Sequence, residues 1–202
     1  RVLRVDSYGK VIDAPNRATV ELNSGEGVLT LTSGARIDLR HGTDAVPGFL
    51  AGQNDGMLRG TLELNAPRLG SNDIAIDASG ALTIQGARSI GLNATRRYTD
   101  ARDGVDQAVS GRPYQVIDQT MLERIHADSD TFINAALNNS DLLQRKLAGL
   151  NNATYADAFH LRPGVEIASK TADGDLVVEG DLDLSGYRYA SLNPHTRLNP
   201  SI

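Results

Sequence analysis

The sequence predicts an all-β solenoid, a stack of short strands joined by turns, and three observations carry that expectation. Leu62-Glu63-Leu64, Ile74-Ala75-Ile76 and Leu82-Thr83-Ile84 place an apolar residue at every second position, and each run is bounded by Gly, Pro, Asn, Asp or Ser. Such alternation between turn formers is the pattern of a half-buried strand. Ile74, Leu82 and Ile90 fall eight residues apart, so the strand-plus-turn unit repeats at a fixed step. Glycine makes up 20 of 202 residues while aromatics are only 4%, a pairing of many turns with few bulky anchors. Strands this short are unstable singly, and stacking them in register buries their apolar faces in one continuous core.

In chain order, Val2–Val5 and Lys10–Asp13 are candidate strands around a turn at Tyr8-Gly9. Thr19–Leu22, Val28–Thr32 and Arg36–Leu39 follow, separated by Asn23-Ser24-Gly25 and Ser33-Gly34. The segment 41–59 is rich in Gly and holds Val46, Phe49 and Leu50 without strand period, which predicts a loop excursion folded back on the coils. The strand rhythm resumes at Thr61 and runs to Leu92. These elements set a first region, 1–97, of stacked coils.

From 98 to 160 the period changes to that of a helix. Thr120 with Glu123 forms a capping-box signature, and Leu122, Ile125, Phe132, Ile133, Ala136 and Leu137 lie mostly on one face. A break is expected near Ala127-Asp128-Ser129-Asp130, where turn and cap formers cluster. A second helix, Asp141–Ala148, has Ser140 as N-cap and Gly149 as the residue after its end. The segment therefore reads as an inserted α-helical hairpin bulging from one turn, its apolar face buried on the coils or on a partner. Excising Thr99–Asp157 is expected to leave a folded rod. Strand patterns return at Gly164–Ile167, Asp175–Glu179 and Asp181–Leu184, so coils resume over 161–202.

The bulk numbers exclude several classes. A net charge of −5 and a pI near 5.3 argue against a sequence-independent nucleic-acid binder, which needs a basic face. No cysteine is present, so there is neither a disulfide frame nor a thiolate metal site. No run approaches the ~18 apolar residues of a membrane-spanning helix. The chain starts without Met and without the apolar run of a signal peptide, which reads as an internal piece of a longer protein.

Residue patterns that would carry catalysis or hold a metal are sparse. His41, His126, His160 and His195 share no helical ligand spacing, and the carboxylates Asp173, Asp175, Glu179, Asp181 and Asp183 match no calcium-loop pattern. No metal, cofactor or catalytic residue is assigned. Glu21, Asp38, Glu63, Asp77 and Asp183 occupy polar strand positions and could form the acid and base column of a polysaccharide-cleaving enzyme, although alternation alone produces such a column. Asn93-Ala-Thr and Asn152-Ala-Thr match the glycan acceptor pattern. The candidate ligand-binding residues are Arg96, Arg97, Tyr98, Arg112 and Tyr114, at the entry to the helical segment. Arginine with tyrosine suits acidic sugars or anionic surfaces. The competing use of these arginines, and of Arg88 and Arg102, is ion pairing with Asp100, Asp103 and Asp106.

Three stretches carry a family resemblance. They are Asp73-Ile-Ala-Ile-Asp-Ala-Ser-Gly-Ala-Leu-Thr-Ile-Gln-Gly-Ala-Arg-Ser-Ile, then Phe159-His-Leu-Arg-Pro-Gly-Val-Glu-Ile after the helical segment, then Gly174-Asp-Leu-Val-Val-Glu-Gly-Asp-Leu-Asp-Leu-Ser-Gly-Tyr-Arg-Tyr. Together they resemble the filamentous haemagglutinin family of large secreted adhesins. The resemblance implies a right-handed parallel β-helix, exported to the bacterial cell surface through an outer-membrane transporter by two-partner secretion. It implies a role in attachment, aggregation or biofilm formation toward a host-cell or matrix glycan or protein receptor, without catalysis; the rod is then the scaffold and the helical segment 98–160 the expected contact surface, whose excision is expected to abolish adhesion while leaving the rod folded. The alternative readings are a polysaccharide-cleaving β-helix and a pure scaffold.

Overall fold

The structure, a computed structural model, describes residues 4–5, 7–8, 11–13, 18–40, 60–105 and 111–187. The loop expected at 41–59, the tail after Tyr187, His41, His195 and Asp106 lie outside the described residues. In chain order the elements are β1 (Arg4–Val5), β2 (Val11–Asp13), β3 (Thr19–Asn23), β4 (Leu29–Thr30), β5 (Arg36–Asp38), β6 (Gly60–Leu69), β7 (Asp73–Ile74), β8 (Ile76–Asp77), β9 (Thr83–Gln85), β10 (Ala87–Tyr98), β11 (Arg102–Asp103), β12 (Tyr114–Ile117), α1 (Gln119–Leu137), a π-helical turn at Leu142–Lys146, β13 (Phe159–Ile167) and β14 (Asp175–Val178).

The fold is mostly β, with parallel pairing in its main sheet. β13, β10, β6 and β3 lie side by side in that order, all parallel, and β7 folds back antiparallel on β6. Two shorter parallel ladders, β4 with β8 and β5 with β9, repeat the same succession of segments. The eight-residue step in the sequence is the walk from one ladder to the next: Leu29 lies in β4 and Ile37 in β5, while Ile76 lies in β8 and Ile84 in β9. β1 and β2 form an antiparallel pair.

Register follows from the alternation. Because strand side chains alternate faces, only one register puts every apolar residue inside. Val20, Leu62, Ile90 and Phe159 align in one column, and Leu22, Leu64, Leu92 and Leu161 in the next. Leu62, Leu64, Ile90 and Leu92 are fully buried. Each such side chain contributes roughly 1.5–3 kcal/mol relative to exposure.

The helical segment departs from the expected hairpin in five ways. A single 19-residue helix runs unbroken through Asp128, and the second element is a π-helical turn of five residues rather than an α-helix. The cap of α1 is Asp118, whose Oδ1 accepts from the Met121 amide at 2.9 Å, so Thr120 sits inside the helix. Asn139, not Ser140, caps the following turn by accepting from the Leu142 amide. Gly149 is not among the glycines with positive φ. A Cβ there would lie 2.2 Å from the Gly80 carbonyl oxygen, so its absent side chain serves a close approach.

Of the two places expected to bury its apolar face, the strand stack or a partner, the segment uses the strand stack. Phe132, Ile133, Ala136, Leu142, Leu147 and Leu150 join the same core as the strand columns. The Ala78 amide donates to Lys146 O and the Gly149 amide to Ala78 O, each at 2.8 Å, while Lys146 Nζ holds the Asp73 carboxylate. Tyr155 completes the edge of β9: its hydroxyl accepts from the Ile84 amide at 2.9 Å and donates to Leu82 O at 3.1 Å. A side chain thus occupies the place of the next strand's backbone. Replacing Tyr155 by Phe keeps the ring but orphans both groups, and is expected to cost about 1–3 kcal/mol. Urea unfolding measures it, with faster hydrogen exchange of the Ile84 amide as the local signature.

After the segment β13 stacks back on β10 in the main sheet, while Asp181–Leu184, expected as a strand, forms none. β12 pairs antiparallel with β11 and parallel with β14, so the chain beyond β13 lays its next strand on one that precedes α1. Tyr187 then returns to α1, its ring stacked 4.3 Å from that of His126 and its hydroxyl accepting from Gln119 Nε2. No helix among the described residues is long and apolar enough to cross a membrane.

Candidate binding groove

The outward face of the main sheet carries rows of residues set by the same register. Asn23, Asn65 and Asn93 are aligned partners on β3, β6 and β10, with Arg162 next on β13. Two positions further along, Pro67, Thr95 and Gly164 align, and beyond them Arg97 faces Glu166. A row of short side chains between two rows of long polar ones leaves a trough. It runs across the strands, has a volume of about 640 Å³, and is closed at one end by the turn residues Gly25 and Glu26.

Each wall has a local cause. Asn93 Nδ2 donates to Asn65 Oδ1 at 2.8 Å and to Glu63 Oε2 at 3.0 Å, and Asn65 Nδ2 donates to Glu21 Oε1 at 2.7 Å. The amides thereby form a chain of hydrogen bonds along the stack. Gly91 lies beneath the Glu63–Arg162 ion pair, where a Cβ would meet Glu63 Oε2 at 2.3 Å. Asn23 Oδ1 accepts from the Gly25 amide, which fixes the turn at the trough's end with Gly25 at φ 59°. The opposite wall is looser: Arg97 Nε stands 3.5 Å from Glu166 Oε1, with both side chains more than half exposed. Such a pair contributes little to stability.

Beneath the trough a buried cluster ties the sheet to α1. The Arg68 guanidinium is 5% exposed and donates to Asp128 Oδ2 at 2.8 Å, Ala94 O at 3.1 Å and Ser129 Oγ at 3.1 Å, and it lies over the Phe132 ring. Asp128 also accepts from Arg96 Nη1 and from the Tyr98 hydroxyl. Burial first, and then this bond to Asp128, push the Tyr98 phenol above its ordinary value.

The expected site residues separate. Arg96 and Arg97 line the trough, on opposite faces of β10. Tyr98 is buried at 3% and presents no ring to a ligand. Arg112 and Tyr114 belong to the β11-β12-β14 sheet and do not line the trough. Arg112 pairs with Asp175, and the Tyr114 ring occupies the space a side chain at Gly104 would need. The arginines do form ion pairs, with partners the sequence did not name: Arg102 with Asp118 and Glu179, while Arg124 takes Asp100 and Lys170 takes Asp103.

The carboxylates considered for acid and base work are scattered. Asp38 is held at about 2 by the hydrogen bonds of Arg40. Asp77 and Asp183 are lowered by the hydrogen bonds of Ser79 and Ser185. Glu21 and Glu63 serve the amide chain, and the carboxylates that line the trough are Glu26 and Glu166. No group of three or more metal-ligating side chains occurs among the described residues. The acceptor amides of both glycan patterns are engaged, Asn93 in the ladder and Asn152 with Ala148 O and Gly149 O.

The asparagine ladder was missed in the sequence, though it left a signal. Leu22-Asn23, Leu64-Asn65 and Leu92-Asn93 repeat one dipeptide at the same place in three strands. Comparisons with protein-family models, with curated proteins and with solved structures find no match.

Proposed function

We propose that this chain is a segment of a large secreted bacterial surface adhesin, in which a right-handed parallel β-helix is the scaffold and the trough across its main sheet is the contact surface. The observation that carries the reading is the in-register parallel stack of β3, β6, β10 and β13 with a polar trough on its outer face. Three parallel ladders built from one succession of segments support the coil, and the sequence resemblance described above supports the surface setting. A coil stack extends by adding rungs, each contacting only its neighbours. A long fibre of such rungs carries many copies of a weak site, and binding then gains by avidity rather than by single-site strength.

The helical segment is reassigned within this reading. It completes the core of the rod instead of projecting from it as the contact surface. Arg97, exposed and loosely paired, becomes the residue whose loss matters for attachment. Displaying the chain on a non-adherent bacterial host should confer attachment to host cells or matrix-coated surfaces, and Arg97→Gln should remove it. Attachment no better than that of the undecorated host would end the adhesin reading.

A further inference from the structure

We propose that the trough binds a carboxylate-bearing oligosaccharide laid along the stacking axis, with one carboxylate on Arg97 in the place that Glu166 holds in the free protein. This rests on the adhesin reading and names the ligand class of the same site.

The shape comes first. The trough crosses strands set about 4.8 Å apart, so from β3 to β13 it spans roughly 14 Å. A pyranose unit is about as long as one strand spacing, and three units fit this length. The floor of Pro67, Thr95 and Gly164 is flat because its side chains are short, and Gly164 is required there, since a Cβ would press on Thr95 at 2.8 Å.

The chemistry of the two walls selects the ligand. Amides both donate and accept, which suits vicinal hydroxyls, and on β3, β6 and β10 the Asn row keeps the hydrogen-bonding capacity left over from the bonds among Asn93, Asn65, Glu63 and Glu21. None of the described residues lining the trough is aromatic, so a neutral sugar finds no stacking platform there. Affinity must then come from charge. The cation available is Arg97, whose guanidinium matches a carboxylate in planar, forked geometry. Its partner Glu166 stands at 3.5 Å and is more exposed than Arg97 itself, so exchanging one carboxylate for another costs little. Arg68 is committed to Asp128, and Arg96 donates to the other oxygen of the same group.

The test uses the full chain and three probes, a tetrameric oligogalacturonate, its carboxyl-reduced neutral counterpart and a tetra-aspartate peptide, with binding followed by calorimetry at low and moderate salt. The uronate is expected to bind weakly and the neutral sugar about ten-fold more weakly, the weight of one charge-assisted bond. Arg97→Gln should lose the uronate by about the same factor while keeping the wild-type melting midpoint. Glu166→Gln should bind it more tightly, a gain that a merely structural role for this pair would not produce. Equal binding of the peptide and the uronate overturns the proposal, because charge alone would then suffice. A uronate that fails to bind while displayed attachment still depends on Arg97 overturns the ligand class and leaves the adhesin reading standing. Attachment indifferent to Arg97 overturns the trough as contact surface.

Discussion

Asp128→Ala is expected to destabilise the fold by about 3–5 kcal/mol, because it leaves the buried Arg68 guanidinium without its counter-charge. Arg68 is 5% exposed and would retain Ala94 O and Ser129 Oγ, but neither carries charge. The substitution also strips the buried Tyr98 hydroxyl of its acceptor. At roughly 2–4 °C per kcal/mol for a chain of this size, the melting midpoint should fall by on the order of 10 °C. The double variant Arg68→Met with Asp128→Ala separates the causes. Removing the orphaned cation should recover much of the loss, since an apolar residue of similar volume often replaces a buried ion pair at little cost. A loss below about 1 kcal/mol for Asp128→Ala would mean that the cluster does not hold α1 to the sheet.

That cluster also explains why the sequence was legible in one part and opaque in another. Strands whose neighbours impose the pattern could be read directly: Leu62-Glu63-Leu64 alternates because Leu62 and Leu64 face the core while Glu63 faces Arg162. The column register follows from the same alternation. Asp128 and Ser129 looked like a helix break because a local window sees only turn formers. Their partner is Arg68, about sixty residues earlier, and a bond of that span leaves no periodic trace. Thr120 lost the cap to Asp118 for a related reason. β12 ends at Ile117 on the ladder with β14, so the chain must turn at Asp118, whose carboxylate also takes Arg102. Of the expected site residues, Arg97 lies on the open face by strand parity. Tyr98, one position on, is buried by the same parity, which the sequence shows once β10 is known to continue that far.

Excising Thr99–Asp157 is expected to abolish folding, in reversal of what the sequence alone suggests. The cut removes Phe132, Ile133, Leu142, Leu147 and Leu150 from the core they share with the strand columns. At roughly 1.5–3 kcal/mol each, their burial is worth on the order of 10 kcal/mol, comparable with the whole stability of a typical domain. The same cut takes the hydroxyl of Tyr155 from β9, the Lys146 carbonyl from the Ala78 amide, and β12 from β14. Two sheet edges would be left bare, which invites association of the excised chain. Circular dichroism should lose the β signal or its cooperative melt, and size exclusion should show aggregates. A monomer with an intact spectrum and a sharp melt would mean that the strands hold together without the segment. Ile133→Ala and Leu147→Ala test the same claim more gently, each expected to cost about 2–5 kcal/mol by opening a cavity in the shared core. Under the proposed adhesin reading, attachment lost on excision would say nothing about which surface touches the ligand, because the fold is expected to go with it; exposed, loosely held residues such as Arg97 can report that without disturbing the fold.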